Sequence, residues 1–580
     1  MAYPEFHQID EKLRADKKID LYDEDGSTVN EIPDGSPLHG IVASNDAAAL
    51  RLYQDSLLRR GLFWQKYELS FYHPFFTAEA NGSFDVLRVL LEIYLADTRY
   101  TEPLDQYLKR LKFSPIKVAC AAAQRELTLW LLNHTPLMTT LNDRDVLGQT
   151  PLFSAADFSP SENMNKHEDF LCFLLEQGCS VQDSSIYVEQ SIEEKKNPNL
   201  RPELKGTVLG AAVPYASSKM VSRLIAEGAE VHARQNWTDK KAWNRPDPIQ
   251  NAEGVTALHI ASFFGNLQAI RALMDHHGDI SVATMVSNTD EYGRVPLHWA
   301  LLGVLDSPRS RTDQNEQYPS LPHRMDTAKL LLEANPDTIN TQDKQGGSAF
   351  NYVVKSDTKL SSILSVVKML LDAKPSMSTL ATALEGTVRY HARRFGKALD
   401  PLFTELVEIL LENGSSTHLC LHRLCDGNWT DHISPTMIDR LLESSDVNGT
   451  DSTGCTAIHY LVQYLDQIDA VRQLIDRGAN VNVVDHKGNT PLHLVMRSTM
   501  FRKTDENGIP DPSQPWNHIY IVREEVVKML VDAGGLMDQS NEAGETPTQL
   551  LAGVRERWRK AEQSREAGKT RWPVGDKIKV

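Results

Sequence analysis

Asp485-His486-Lys487-Gly488-Asn489-Thr490-Pro491-Leu492-His493 decides the fold, because its last four residues recur in variant form from one end of the chain to the other. Close copies are Ser36-Pro37-Leu38-His39, Thr150-Pro151-Leu152-Phe153, Thr256-Ala257-Leu258-His259, Val295-Pro296-Leu297-His298 and Thr456-Ala457-Ile458-His459. Each opens an apolar stretch, and a second amphipathic stretch follows, such as Val526-Val527-Lys528-Met529-Leu530-Val531. A recurring period of roughly 30 to 50 residues marks a stacked-repeat architecture.

The unit is clearest between 451 and 500. Asp451-Ser452-Thr453-Gly454 has the residues of a turn, with glycine supplying a positive φ. Thr456 and Thr490 stand where an N-cap hydroxyl meets an unpaired helical N–H. Pro491 takes the first helical position, where its missing N–H costs nothing. In the stretch Asp469 to Arg477, Val471, Leu474 and Ile475 fall at i, i+3 and i+4, a stripe facing a core. Gly478 follows as a left-handed C-terminal cap. Turn, helix, helix and extended return form one module that cannot bury its apolar face alone.

Together, Asp485 to His493 and Arg477-Gly478-Ala479-Asn480-Val481-Asn482 closely resemble the opening and closing motifs of the ankyrin repeat. The resemblance implies an all-α solenoid: antiparallel helix pairs stacked side by side as helix-turn-helix units, with short hairpin fingers along one edge. It covers about residues 35–553. Clear units start near 36, 150, 256, 295, 456, 490 and 546, and weaker ones near His73, Ser114, Thr207 and Ser348. The least regular begin near Thr379 and Leu419, giving about twelve to thirteen units in all. The irregular units and long insertions resemble divergent repeat proteins of lower eukaryotes such as filamentous fungi.

Only 34 residues separate the starts at 456 and 490, and most other intervals are longer. Asp157 to Glu168, Asp306 to Asp326 and Phe501 to Tyr520 each separate an inner helix from its outer helix. Ser184 to Gly206 and Asn236 to Glu253 follow an outer helix, so they should lengthen fingers. Such inserts either recognise a partner or drift as surface loops, since closing a longer loop costs little. Residues 1–34 are acidic and form an N-terminal cap or tail. Residues 554–580 are a basic C-terminal tail, expected to prolong the last helix to about Glu566. Its dispersed Arg and Lys residues fit a solvated helix better than a nuclear import signal.

At 580 residues the chain exceeds one compact core, and repeats let it grow along an axis. The net charge of −17 makes direct nucleic-acid binding a poor expectation, because phosphate recognition needs clustered positive charge. It is compatible with a basic protein segment, or it serves solubility alone. The six cysteines lie at 120, 172, 179, 420, 425 and 455 without a regular framework, which points to a reducing compartment, cytoplasmic or nuclear. No secretory signal is visible, and no apolar run approaches the ~18 residues of a membrane span. Cys420-Leu421-His422-Arg423-Leu424-Cys425 has no second Cys/His pair nearby and reads as repeat core, not as metal ligands.

No catalytic constellation is present. His167-Glu168 lacks the second histidine of a zinc helix, and Gly568-Lys569-Thr570 lacks the glycine and strand of a phosphate-binding loop. His39, His259, His298, His459 and His493 occupy one position of the repeat and are too dispersed to share an active site. The resemblance implies that this histidine bonds backbone between neighbouring turns. No cofactor or metal is expected, and the chain reads as a noncatalytic scaffold or adaptor. The alternatives are a nuclear or pathway regulator acting through protein partners and, more remotely, an enzyme with a loop-built site.

Ankyrin-like units present ligand contacts at variable turn residues and at inner-helix ends on the concave side. The motif places Phe158, Tyr215, Phe263, Phe264 and Tyr464 at helix ends, and Tyr292, Arg294, Lys487 and Asn489 in turns. Aromatic residues and arginine are enriched at interaction hot spots. Phe263-Phe264 stands out, because either the pair faces a protein or peptide partner or one ring tucks under the next unit or a long loop. Oligomeric state is not legible.

Overall fold

In the computed structural model the described residues are 37–59, 74–96, 102–134, 141–144, 148–157, 164–182, 184–187, 204–237, 252–302, 321–354, 360–391, 401–414, 420–425, 435–443, 445–465, 467–498 and 518–566. The acidic N-terminal segment, the last basic residues, Phe158 and most of each long insertion lie outside them. The chain divides into two compact units, Met1–Ala300 with Asn315–Asn335, and Leu301–Gln314 with Pro336–Val580.

In the first unit, short inner helices alternate with outer helices. Examples are Pro37–Ala43 with Ala47–Arg59, Pro74–Asn81 with Phe84–Ala96, Pro115–Ala121 with Arg125–His134, and Ala257–Phe263 with Leu267–Asp275. Two helices, Leu104–Leu111 and Val282–Val286, are additions to this alternation. The second unit repeats the scheme with Ala349–Val354 and Leu360–Leu371, Cys420–Cys425 and Pro435–Leu442, Ala457–Leu461 and Ile468–Asp476, and Pro491–Arg497 and His518–Asp532. Helices begin within one residue of nearly every motif. The exception is the unit read from Thr379, whose helix runs Met377–His391 and is capped by Ser376, whose hydroxyl accepts from the Thr379 N–H at 3.3 Å. The last helix is described over Pro547–Glu566, where the described residues stop.

The apolar stripes face inward. Val471 and Leu474 are 1% and 0% exposed, and Leu258, Leu297 and Leu492 are equally buried. Burying a Leu or Val side chain contributes about 1.5–3 kcal/mol, so stacking of neighbours is what holds each short helix.

The motif histidine does the joining. Thr256, Thr456 and Thr490 each donate their backbone N–H to Nδ1 of His259, His459 and His493, at 3.3, 3.1 and 3.1 Å. Since Nδ1 accepts, the ring proton sits on Nε2. Nε2 then donates to a carbonyl of the following repeat: Arg294 at 3.1 Å, Asn489 at 3.2 Å and Glu545 at 3.0 Å. Burial holds His259 down to about 4 and lowers His459 as well. His422, inside the cysteine-flanked stretch, makes the same contact with the Cys455 carbonyl at 3.1 Å. Asn351 stands in for histidine in its unit, accepting from the Ser348 N–H and donating to the Thr382 carbonyl, both at 2.9 Å.

Two insertions emerge as antiparallel hairpins. Ser184–Tyr187 pairs with Leu204–Thr207, and Gln235–Trp237 with Ala252–Val255. Both follow an outer helix, which is why they prolong fingers. No described helix is long and apolar enough to cross a membrane.

Candidate interaction surface

The turns show why some expected contact residues point outward and others inward. In the turns of these contact residues an aspartate comes first and accepts the N–H groups of the second and fourth residues after it. Asp290 takes Tyr292 N–H at 2.9 Å and Arg294 N–H at 2.8 Å, and Asp485 takes Lys487 and Asn489, both at 2.8 Å. Gly293 and Gly488, with φ of 80° and 72°, close the turns where a side chain would be strained. The second residue projects outward: Tyr292 is 45% exposed and Lys487 is exposed. The fourth folds back on the aspartate. Arg294 Nε donates to Asp290 Oδ2 at 2.7 Å, and Asn489 Nδ2 to Asp485 Oδ2 at 3.0 Å. Arg294 and Asn489 are therefore interior, 2% and 3% exposed, and are corrected here from surface contacts to turn supports.

Asp290 also accepts from Trp299 Nε1 at 3.0 Å, and the Arg294 guanidinium lies 5.1 Å from the Trp299 ring and 4.9 Å from that of Tyr292. In other units the corresponding position carries tyrosine. Tyr460 donates to Asp451 at 2.6 Å, which helps hold that carboxylate at about 2 against the opposing effect of burial.

Phe263 and Phe264 part company. Phe263 is 4% exposed, corrected from an exposed contact to core, because Trp237 of the long finger packs on it at 5.3 Å and Trp299 at 6.1 Å. Phe264 stays half-buried, edge-on to Tyr215 at 5.4 Å and to Trp237 at 6.2 Å. Tyr215 and Trp237 are half-buried too. The structure thus brings Tyr215, Phe264 and Trp237 into one ledge of perpendicular rings, with Tyr292 reached through Trp299 and Arg294. Trp237 was missed in the sequence. Its signal was an aromatic residue at the mouth of a long finger. In the second unit Tyr464 is half-buried and Lys487 stands on its turn. Phe158 lies outside the described residues.

Among the described residues, no cluster of His, Cys, Asp or Glu could hold a metal ion. Cys420 and Cys425 are buried, and burial pushes the Cys420 thiol up to about 12.

The family described as ankyrin repeats (3 copies) matches residues 209–307 and 421–501. An ankyrin repeat protein of Acanthamoeba polyphaga mimivirus is 20% identical over 371 residues, 55% of this chain and 44% of that protein. An ankyrin repeat protein of Variola virus is 32% identical over 116 residues, 18% of this chain and 19% of its own. An intracellular phospholipase A2 of Caenorhabditis elegans is 28% identical over 142 residues, 22% of this chain and 13% of that enzyme. The chain thus spans less than half the length of these relatives. They are viral and metazoan and lend no support to the fungal likeness. Ankyrin repeats generally mediate protein–protein contacts. On helix pairing, histidine joints and these matches together, the chain carries ankyrin repeats stacked as an all-α solenoid.

Proposed function

We propose that this chain is a noncatalytic interaction scaffold or adaptor, and that its first unit grips a protein or peptide on the ledge of Tyr215, Phe264, Trp237 and Tyr292. The observation that carries this reading is the ledge itself: three half-buried rings held edge-to-face on a rigid frame, with exposed Tyr292 on the neighbouring turn. Rigid aromatic side chains bury large area at low entropic cost, which makes them anchors. Tyr464 and Lys487 form a second candidate contact in the other unit. The noncatalytic reading is supported by the histidines, whose ring nitrogens are committed to backbone groups.

A cytoplasmic or nuclear setting is the reading that the scattered, unframed spacing of the six cysteines supports. The basic C-terminal helix favours support over import signalling, since Arg555 makes two contacts with Glu524, and Arg559 and Lys560 both pair with Glu556. The test is affinity capture from the native cell with the full chain and with Tyr215→Ala plus Phe264→Ala. A fall of roughly tenfold or more in a partner's recovery, with the fold intact, is expected from losing two anchors. Unchanged recovery of every partner defeats the placement.

A further inference from the structure

Thr207-Val208-Leu209-Gly210 has glycine where the following unit has His259. The Thr207 amide and hydroxyl are nonetheless met. Gln235, 28 residues on and at the start of the long finger, reaches back into this unit. Its Oε1 accepts the Thr207 N–H at 2.6 Å and the Thr207 hydroxyl at 3.0 Å. These are the groups that His259 Nδ1 meets from within its own helix. Gln235 is 4% exposed, and a Cβ on Gly210 would lie 1.8 Å from its Nε2 and 2.4 Å from its Oε1. The glycine is therefore not conformational, since its φ lies outside the left-handed region. It leaves a slot, and the glutamine side chain fills it.

The consequence reaches the ledge. Two residues beyond Gln235, across a register irregularity, Trp237 packs on Phe263, Phe264 and Trp299. The hairpin Gln235–Val255 is fastened to the unit before it by the glutamine and to the units after it by the tryptophan. We infer that Gln235 is the positioning residue of this surface: it supplies the acceptor that histidine supplies in other units and anchors the strand carrying Trp237, so that satisfying the Thr207 amide at the start of helix Val208–Ala212 and seating Trp237 depend on one side chain. A ligand that lifts this strand must break both Thr207 bonds. An account in which Gln235 merely fills space predicts no such coupling.

Hydrogen exchange on the full chain decides between them. In Gln235→Ala, amides of Thr207 and of residues 235–237 exchange together, each faster by about tenfold or more, while amides of the second unit keep their rates. The discriminating variant combines Gly210→His with Gln235→Ala. It returns an internal acceptor to Thr207, so protection recovers there to within about threefold of the parent, while residues 235–237 remain fast. Recovery at both places, or hairpin rates untouched by Gln235→Ala, overturns the inference. Should Gln235→Ala fail to fold, the combined variant carries the test, because it returns an acceptor to the Thr207 amide. The role in partner binding rests on the proposed ledge, but the exchange rates do not, so the two readings fail separately.

Discussion

Asp290→Ala probes the frame of the first unit most sharply. The carboxylate and the Arg294 side chain beside it are 0% and 2% exposed. Four donors converge on it: the N–H groups of Tyr292 and Arg294, Arg294 Nε and Trp299 Nε1, at 2.9, 2.8, 2.7 and 3.0 Å. Truncation leaves a buried guanidinium without its carboxylate, which costs about 3–5 kcal/mol. Asp485→Ala removes the same turn contacts where the carboxylate is half-buried and its partners are uncharged, so about 1–2 kcal/mol is expected. Adding Arg294→Leu to Asp290→Ala should recover part of the loss, because the stranded charge goes with it. Urea titration followed by far-UV circular dichroism measures the loss, and hydrogen exchange locates it in one unit or the other, since repeat stacks open locally. Equal losses for Asp290→Ala and Asp485→Ala, or no recovery in the double variant, would refute the reasoning.

Acid should loosen the stack at its histidine joints. His259 is held at about 4 in the fold against 6.5 in the open chain. Its contribution is complete above 6.5 and is lost as pH falls toward 4, on the order of 3 kcal/mol. His259→Asn, copying Asn351, should flatten that slope in thermal melts at pH 7.5, 6 and 4.5, and a slope identical to the parent's counts against the joint. Phe263→Ala should cost about 3–5 kcal/mol by emptying core, whereas Phe264→Ala should stay within about 1 kcal/mol of the parent. Paired denaturation curves showing equal losses would contradict the division of the two rings. Arg523, 5% exposed, donates to the Val495 carbonyl at 3.2 Å and to that of Ser498 at the end of helix Pro491–Arg497. Arg523→Leu should cost about 1–3 kcal/mol by leaving buried carbonyls unmet, seen as faster exchange in that helix, and unchanged rates there would remove the capping role.

What the sequence disclosed was local. Proline at the first helical position, glycine after the outer helix and apolar residues at i, i+3 and i+4 act within one turn or helix, so the helix starts at Pro151, Pro296 and Pro491 were legible. The joining role of histidine came through the family resemblance. What stayed hidden depends on contacts across repeats. Nothing in Asp290-Glu291-Tyr292-Gly293-Arg294 says that Arg294 folds back on Asp290 and Tyr292 does not, because that choice is set by the aspartate accepting both amides. Gln235 and Trp237 act on residues about 26–28 positions away in sequence, beyond any periodicity. His422 was less legible because cysteine stands where proline usually precedes the Leu-His pair, although its Nε2 meets the next unit's carbonyls as the other histidines do. The paired phenylalanines announced a site, but only the finger packed over Phe263 shows which ring is left for a partner.

The most direct measurement is a hydrogen-exchange footprint of the full chain with and without its captured partner. Slowed exchange centred on residues 213–217, 237 and 263–266, with the second unit's inner helices unchanged or less affected, is the predicted result. A footprint confined to other surfaces, with those segments exchanging as in the free chain, contradicts the assignment of the aromatic ledge.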